Sequence, residues 1–453
     1  MSLGTPPRDK LSIALIVLAA ATTVVVATEF IVVGLLPLIA HDMRVSTATA
    51  GYLVSAFALS ASLLGPPLTL LTATQPVRRI MIATLLLFAG TNFAGVLWPT
   101  FTTLLTLRIV QGAMLPVYLG AGTAAISSLA SPERRGFALA LANTGFAAGV
   151  VIGVPAGVAL ANKGLWVTPL VHLTIASVVA AALVALLFPA VDDRTTVSRQ
   201  SVQLLRDGRF LIHLALSTTV FTAMFSAYTY LAVWLQQIAG LTATGIAEAL
   251  FGFGVAGMLG NTAAAVVADR MPLRAIVLAA TALALAAVSL SLTGSVGVQI
   301  AMFLVWGVAH TACVVLCQVR VTLAGRSAPA FAAALNISAA NLGIALGALA
   351  GGWAITRWGG NAIGWGSLGL LPLIAGLAAA LAFTARRLPI SLPHMQKRPI
   401  IPQADASPSL LGCRHAHCER TAINARCSPR GKRTASNPTP PHRIKQMNNQ
   451  PRA

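Results

Sequence analysis

Residues Leu11–Leu36 read LSIALIVLAAATTVVVATEFIVVGLL, an apolar run interrupted by a single charge, Glu29. A helix rises about 1.5 Å per residue, so roughly 20 such residues cross a hydrocarbon core of about 30 Å. The run is too long for the apolar region of a signal peptide, about 7–15 residues, and no clear small-residue cleavage site precedes the next polar stretch, so it is expected to be retained as a first membrane span. The rest of the chain repeats the pattern. Of its 453 residues, 56% are apolar and only 9% are charged. A soluble globular protein carries about 25% charged residues, which excludes that class.

Long apolar runs separated by short basic clusters predict spans at about 12–36, 47–71, 79–98, 101–128, 135–160 and 165–189, then 211–238, 244–268, 274–294, 297–323, 329–356 and 362–386. Basic residues resist translocation and collect in cytoplasmic loops. With the N-terminus inside, the inner segments hold fifteen Lys and Arg, among them Arg78, Arg79, Arg270 and Arg274, whereas the outer segments hold only Arg44, Lys163 and Arg357. The expected fold is an all-α membrane protein of twelve spans, with both termini cytoplasmic, placed as a multi-pass protein in the inner (plasma) membrane.

A polar break from about Val191 to Arg209 divides the spans into two sets of six. The expected organisation is a bundle over residues 1–190, a cytoplasmic linker over 191–210, a second bundle over 211–387 and a basic tail over 388–453. The bundles look duplicated. Phe137-Ala-Leu-Ala-Leu141 reappears as Phe331-Ala-Ala-Ala-Leu335, and Gly149, Gly153 and Gly157 map onto Gly343, Gly347 and Gly351, both at an offset of 194. Parallel six-span repeats are a transporter plan, with the substrate site between them.

An acidic side chain near the bilayer centre costs about 2.5–3.5 kcal/mol on insertion scales, so Glu29 is expected to face a partner or a watery cavity and to take up and release a proton. Arg108 is a second charge within a span. Glu29 precedes Pro37 by eight residues and Arg108 follows Pro99 by nine, which puts both roughly 12–14 Å below the outer boundary. They meet if spans one and four face each other. The expectation is that the Glu29 carboxylate pairs with Arg108 directly or through water, against the plainer reading in which Arg108 only pins backbone carbonyls.

Gly145, Gly149, Gly153 and Gly157 line one face of the fifth span, with Pro155 favouring a bend. The pattern suits an interface that rocks, or static close packing. Phe221, Phe225 and Tyr228 in the seventh span and Trp306 and His310 in the tenth are candidates for lining a mostly apolar cavity, although helix packing alone explains any one of them. Gln111 and the interior amides Asn143, Asn336 and Asn341 are candidates for bonds across helices or to substrate.

The net charge of +20 does not mark a nucleic-acid surface, because the basic residues punctuate the spans and eleven of them fall in the last 66 residues. Five cysteines without framework spacing argue against a disulfide scaffold. His310, Cys313 and Cys317 share a helix face, but no matching ligand set elsewhere in the spans makes them a metal site. With no catalytic constellation and no phosphate-binding loop, the chain is expected to be neither an enzyme nor an ATP-driven pump, and to need no cofactor. From about Leu388 the composition turns basic and Pro-rich, which predicts disorder and contact with anionic lipid headgroups at most.

Thr28-Glu29-Phe30, Gly34-Leu-Leu-Pro37 and Gly51-Tyr-Leu-Val-Ser55, together with Arg108, Gln111 and Gly112, resemble the major facilitator superfamily, and within it the twelve-span drug–proton antiporter branch that includes arabinose-efflux-like permeases. Residues Gly145 to Gly157 resemble that branch's fifth-span antiporter motif, except that Gly153-Val154-Pro155 replaces adjacent Gly-Pro. The resemblance covers about residues 11–387. It implies proton-coupled efflux of a small organic compound, a drug or a sugar, by a monomer, with spans one, four, seven and ten around the cavity. The family's loop between spans two and three carries an Asp-Arg step and a Gly before its basic pair. Here Thr74, Gln75 and Val77 stand in those places, while the second half keeps Asp269-Arg270 with Arg274. An importer or facilitator of a small metabolite shares the topology, as does a membrane receptor or assembly protein that never turns over.

Overall fold

A computed structural model describes residues 8–131, 138, 141–142, 144–162, 165–189, 203–268, 271–292 and 294–387. Among these residues every regular element is a helix. A chain in lipid must satisfy its backbone hydrogen bonds within each segment, and the continuous helix does this. Eleven helices are long and apolar enough to cross a bilayer, and a bent pair, Thr47–Leu63 followed by Gly65–Thr72, makes a twelfth. The linker residues 190–202, the tail from 388, and Asn143, Asp269 and Arg270 lie outside the described residues.

The spans expected from hydropathy recur with breaks that hydropathy does not register. The second span turns by 47° at Leu64. Pro66 and Pro67 follow at once, and two prolines remove two amide donors from the helix ladder. A side chain at Gly65 would run into the Pro116 ring of the fourth span, so the bend is also packed from outside. In the fifth span Gly149–Gly153 forms a turn of π-helix ahead of Val154–Asn162. Pro155 cannot donate to the carbonyl four residues before it, and the wider turn absorbs the mismatch. The seventh span is broken between Gly208–Tyr228 and Leu231–Gln237.

The end of the bundle where the first span (Arg8–Asp42) begins is here the near face, and the opposite end the far face. Ser46 and Thr100 cap the second and fourth spans at the far face by accepting from Thr49 N and Thr103 N at 3.0 and 3.2 Å. Trp98, Trp353, Trp358 and Trp365 are all exposed and all sit near far-face ends of spans. Their amphipathic rings mark the level of an interface. Leu71, Leu186, Leu278 and Leu292, more than half exposed, cover the lipid-facing perimeter.

The two glycine stripes do the same job in each half. A methyl on Gly153 would come within 2.6 Å of the Ala27 methyl, and one on Gly149 within 2.8 Å of Val26, so the fifth span lies against the first. A methyl on Gly347 would come within 2.7 Å of Thr222 O, so the eleventh span lies against the seventh. Equivalent stripes therefore seat equivalent helix pairs, both inside a half. Contacts between the halves use other residues. Ser55 Oγ of the second span donates to Ala345 O of the eleventh at 3.3 Å, and Asn162 Nδ2 at the far end of the fifth donates to Thr244 Oγ1 of the eighth at 3.0 Å. Phe30 stacks on Phe225 with ring centroids 6.0 Å apart.

Candidate functional site

The first and fourth spans bring Glu29 and Arg108 to the same level, as the helix-rise argument requires. Arg108 is 5% exposed and Glu29 7%. The guanidinium is held from four sides. Nε donates to Leu53 O at 3.3 Å, Nη1 to Thr28 O at 2.8 Å and to Gln111 Oε1 at 3.3 Å, and Nη2 to Glu29 O at 2.5 Å. Its carbon lies 4.2 Å from the centroid of the Phe57 ring, a cation–π contact. Gly112, one turn on, admits the second-span backbone, since any side chain there would strike Phe57 O.

Gln111 extends the network. Its Nε2 donates to Thr91 Oγ1 at 2.9 Å and to Asn92 Oδ1 at 3.1 Å, and Asn92 Nδ2 donates to Thr28 Oγ1 at 3.4 Å. Thr28, Thr91, Asn92, Arg108 and Gln111 form the polar end of a cavity inside the first six spans, and Leu35, Ile39, Trp166 and Leu170 form its apolar end. The carboxyl group of Glu29 stays apart. Oε2 is buried and has no hydrogen-bond partner. Arg108 grips the main chain at Glu29 and acts on the carboxyl group through its charge, without a hydrogen bond to it.

In the second half, the seventh and tenth spans form an aromatic cluster. Tyr228 and His310 lie 4.7 Å apart by ring centroid, Phe225 and His310 5.6 Å, and Phe221 and Phe225 6.3 Å. Phe253 of the eighth span, which carries no charge or motif to flag it, packs edge-on to Trp306 at 5.5 Å. Trp306 is fully buried, and its Nε1, like Nδ1 of His310, has no partner. Asn336 Oδ1 accepts from Ser217 Oγ at 2.6 Å and its Nδ2 donates to Gln318 Oε1 at 2.7 Å. Asn341 Nδ2 donates to Ile337 O at 3.0 Å. Arg78 and Arg79 open the third span at the near face, and Arg274 lies exposed with Nη1 3.8 Å from Met271 Sδ.

Two residues escape the loop-and-span reading. Arg320, 2% exposed, lies in the tenth span, and His213, 8% exposed, in the seventh. Arg320 Nη1 donates to His213 Nδ1 at 3.0 Å and Nη2 to His213 O at 3.2 Å. For Arg320 the signal was in the charge count: once loops and tail are subtracted, two residues of the Lys and Arg total remain inside the spans, Arg108 and Arg320.

Residues 18–328 match the family model described as "Major Facilitator Superfamily". The chain is 31% identical over 388 residues to the inner membrane transport protein YdhP of Escherichia coli (strain K12), covering 83% of this chain and 97% of that one. It is 28% identical over 346 residues to the uncharacterized MFS-type transporter YtbD of Bacillus subtilis (strain 168), covering 75% and 87%. Among solved structures it is similar to a bacterial homologue of the human lysosomal transporter Spinster, inward-facing and unoccupied, with a TM-score of 0.69 at 15% identity, covering 84% and 98%. The nucleoside transporter NupG superposes with a TM-score of 0.62 at 14% identity, covering 83% and 98%.

Proposed function

The chain belongs to the Major Facilitator Superfamily and is a multi-pass secondary transporter of the plasma membrane, and from that premise we propose that it exports a small organic compound, a drug or a sugar-like molecule, in exchange for protons. The near face is then cytoplasmic, as the loop charges favour, and the two six-span halves, 1–190 and 211–387, tilt about a site between them.

The observation that carries the reading is the unpartnered Oε2 of Glu29 beside a guanidinium fixed by main-chain carbonyls. A carboxyl group in apolar surroundings costs less as the neutral acid, and less as the anion once water reaches it. Arg108 adds a fixed positive field at that level and cannot swing to neutralise the carboxylate without giving up its carbonyls. Movement of the halves that changes the hydration of Glu29 therefore changes its proton occupancy. That is the coupling that exchange against protons requires.

The test is proton release from acidified inside-out vesicles carrying the purified chain, followed on addition of candidate compounds. Compound-dependent release that disappears in Glu29→Gln supports antiport. Compound flux with no proton movement in the unmodified chain rejects it.

A further inference from the structure

Arg320 is four residues from the near-face end of its helix, Val296–Ala324. An arginine so placed can extend its stem and put the guanidinium in water or among headgroups. This one does the opposite. Leu204, Phe210, Val321 and Ala332 form a small apolar cluster at the near face, and the guanidinium is drawn inward to the seventh span. It is 2% exposed, its Nε is buried without a partner, and none of its hydrogen bonds goes to a carboxylate. A buried cation with no carboxylate bonded to it among the described residues is expensive, and intramembrane charges that persist mark pathways.

His213 completes the arrangement. An arginine has no acceptor, so the bond to Nδ1 forces that nitrogen to accept and puts the ring proton on Nε2. The guanidinium has the Cys317 thiol beside it and keeps Nε without a hydrogen-bond partner, and the Nε2–H of His213 is a further donor of the same electrostatic sign. The same helix faces continue away from the near face through Ser217 and Phe221 on one side and Cys317 and Cys313 on the other, to the cluster around His310.

We propose that Arg320 and His213 form a recognition subsite for an anionic group, a carboxylate or a phosphate, carried by a cargo molecule or by a lipid headgroup. The guanidinium is already turned from water and oriented by His213, so an anion exchanges one orphan donor for a charge-assisted bond. If the anion is cargo, the inference deepens the transporter reading by naming its class, but binding can be measured without flux.

The experiment uses the full chain in nanodiscs of phosphatidylcholine. Benzoate and phenyl phosphate are the probes, benzamide the neutral control, and tryptophan fluorescence the readout. Benzoate and phenyl phosphate should bind and benzamide should not. Arg320→Gln should weaken the anions about tenfold or more, Arg320→Lys less, and Arg357→Gln, which removes an exposed far-face charge, not at all. Discs containing phosphatidylglycerol separate the sources. If that lipid blocks the probes and Arg320→Gln abolishes its retention through delipidation, the anion is a headgroup; if the probes still bind, it is a soluble molecule. Equal binding of benzoate and benzamide to the unmodified chain overturns the proposal. So does unchanged benzoate affinity in a folded Arg320→Gln or, should that variant not fold, in Arg320→Lys. Anion binding without any proton-linked flux would leave the subsite standing and remove the antiport reading instead.

Discussion

Arg108 Nη2 donates to the main-chain oxygen of Glu29 at 2.5 Å, while Oε2 of the same residue has no partner. Glu29 and Arg108 are therefore joined through the backbone, and an oxygen of the carboxyl group proposed to carry the proton stays outside the bond network. This separates what holds the helices together from what could respond to a proton.

Glu29→Gln should keep the fold and lose the coupling. The glutamine retains the main-chain oxygen that Arg108 uses, so thermal unfolding in detergent should occur at the same temperature as in the unmodified chain or above it. Proton-driven transport into inside-out vesicles should fall by roughly a factor of ten or more. A variant that transports at full rate removes Glu29 from the mechanism.

Arg108→Lys should fail in a different way. A single ammonium cannot span Leu53 O, Thr28 O, Glu29 O and Gln111 Oε1. Bonds to charged groups contribute about 1.5–3 kcal/mol each, so the loss should reach at least about 3 kcal/mol. Denaturation followed by circular dichroism should show it, and transport should fall together with stability. A lysine variant as stable as the parent would mean the carbonyls find other donors.

How far the residue string foretold this site depends on the kind of fact asked for. Levels along a helix follow from rise per residue, and so Glu29 and Arg108 could be brought together before any coordinates. The direction of a side chain does not follow, and that the guanidinium turns to the main-chain carbonyls of Thr28 and Glu29 could not be read from helix rise. Thr91 and Asn92 entered the network unannounced because hydroxyl and amide groups carry no hydropathy signal in a span. Arg320 falls within the expected span 297–323, but a cation near a helix end can extend to the interface, and that it turns inward to His213 depends on neighbours the sequence does not show. The paired glycine stripes were legible as close packing, and the partners, spans one and seven, were not, since spacing says which face is flat and not what lies on it.

The stripes give a graded test of packing. Gly149→Val should destabilise by about 1–3 kcal/mol, because its side chain meets Val26 and Thr23 O. Gly90→Ala in the third span has nothing within 4 Å of the added methyl and should stabilise by about 0.5–1 kcal/mol through helix propensity. Opposite shifts in the unfolding temperature check both. Equal effects would mean that glycine is kept at these places for something other than close approach.

The last prediction concerns the far face, where Asn162 Nδ2 meets Thr244 Oγ1 at 3.0 Å across the two halves. If the halves tilt, these residues separate once per cycle, and a tether between them holds the far face shut. The pair Asn162→Cys and Thr244→Cys, in a background with the five native cysteines replaced, should be linked by a short thiol-reactive cross-linker. The linked protein should lose transport and recover it when a reducible linker is cleaved, whereas substrate binding from the near face should persist while the link is intact. Cross-linked protein that still transports would show that this contact survives the whole cycle, and the moving seam would then have to be sought elsewhere, starting with Ser55 and Ala345.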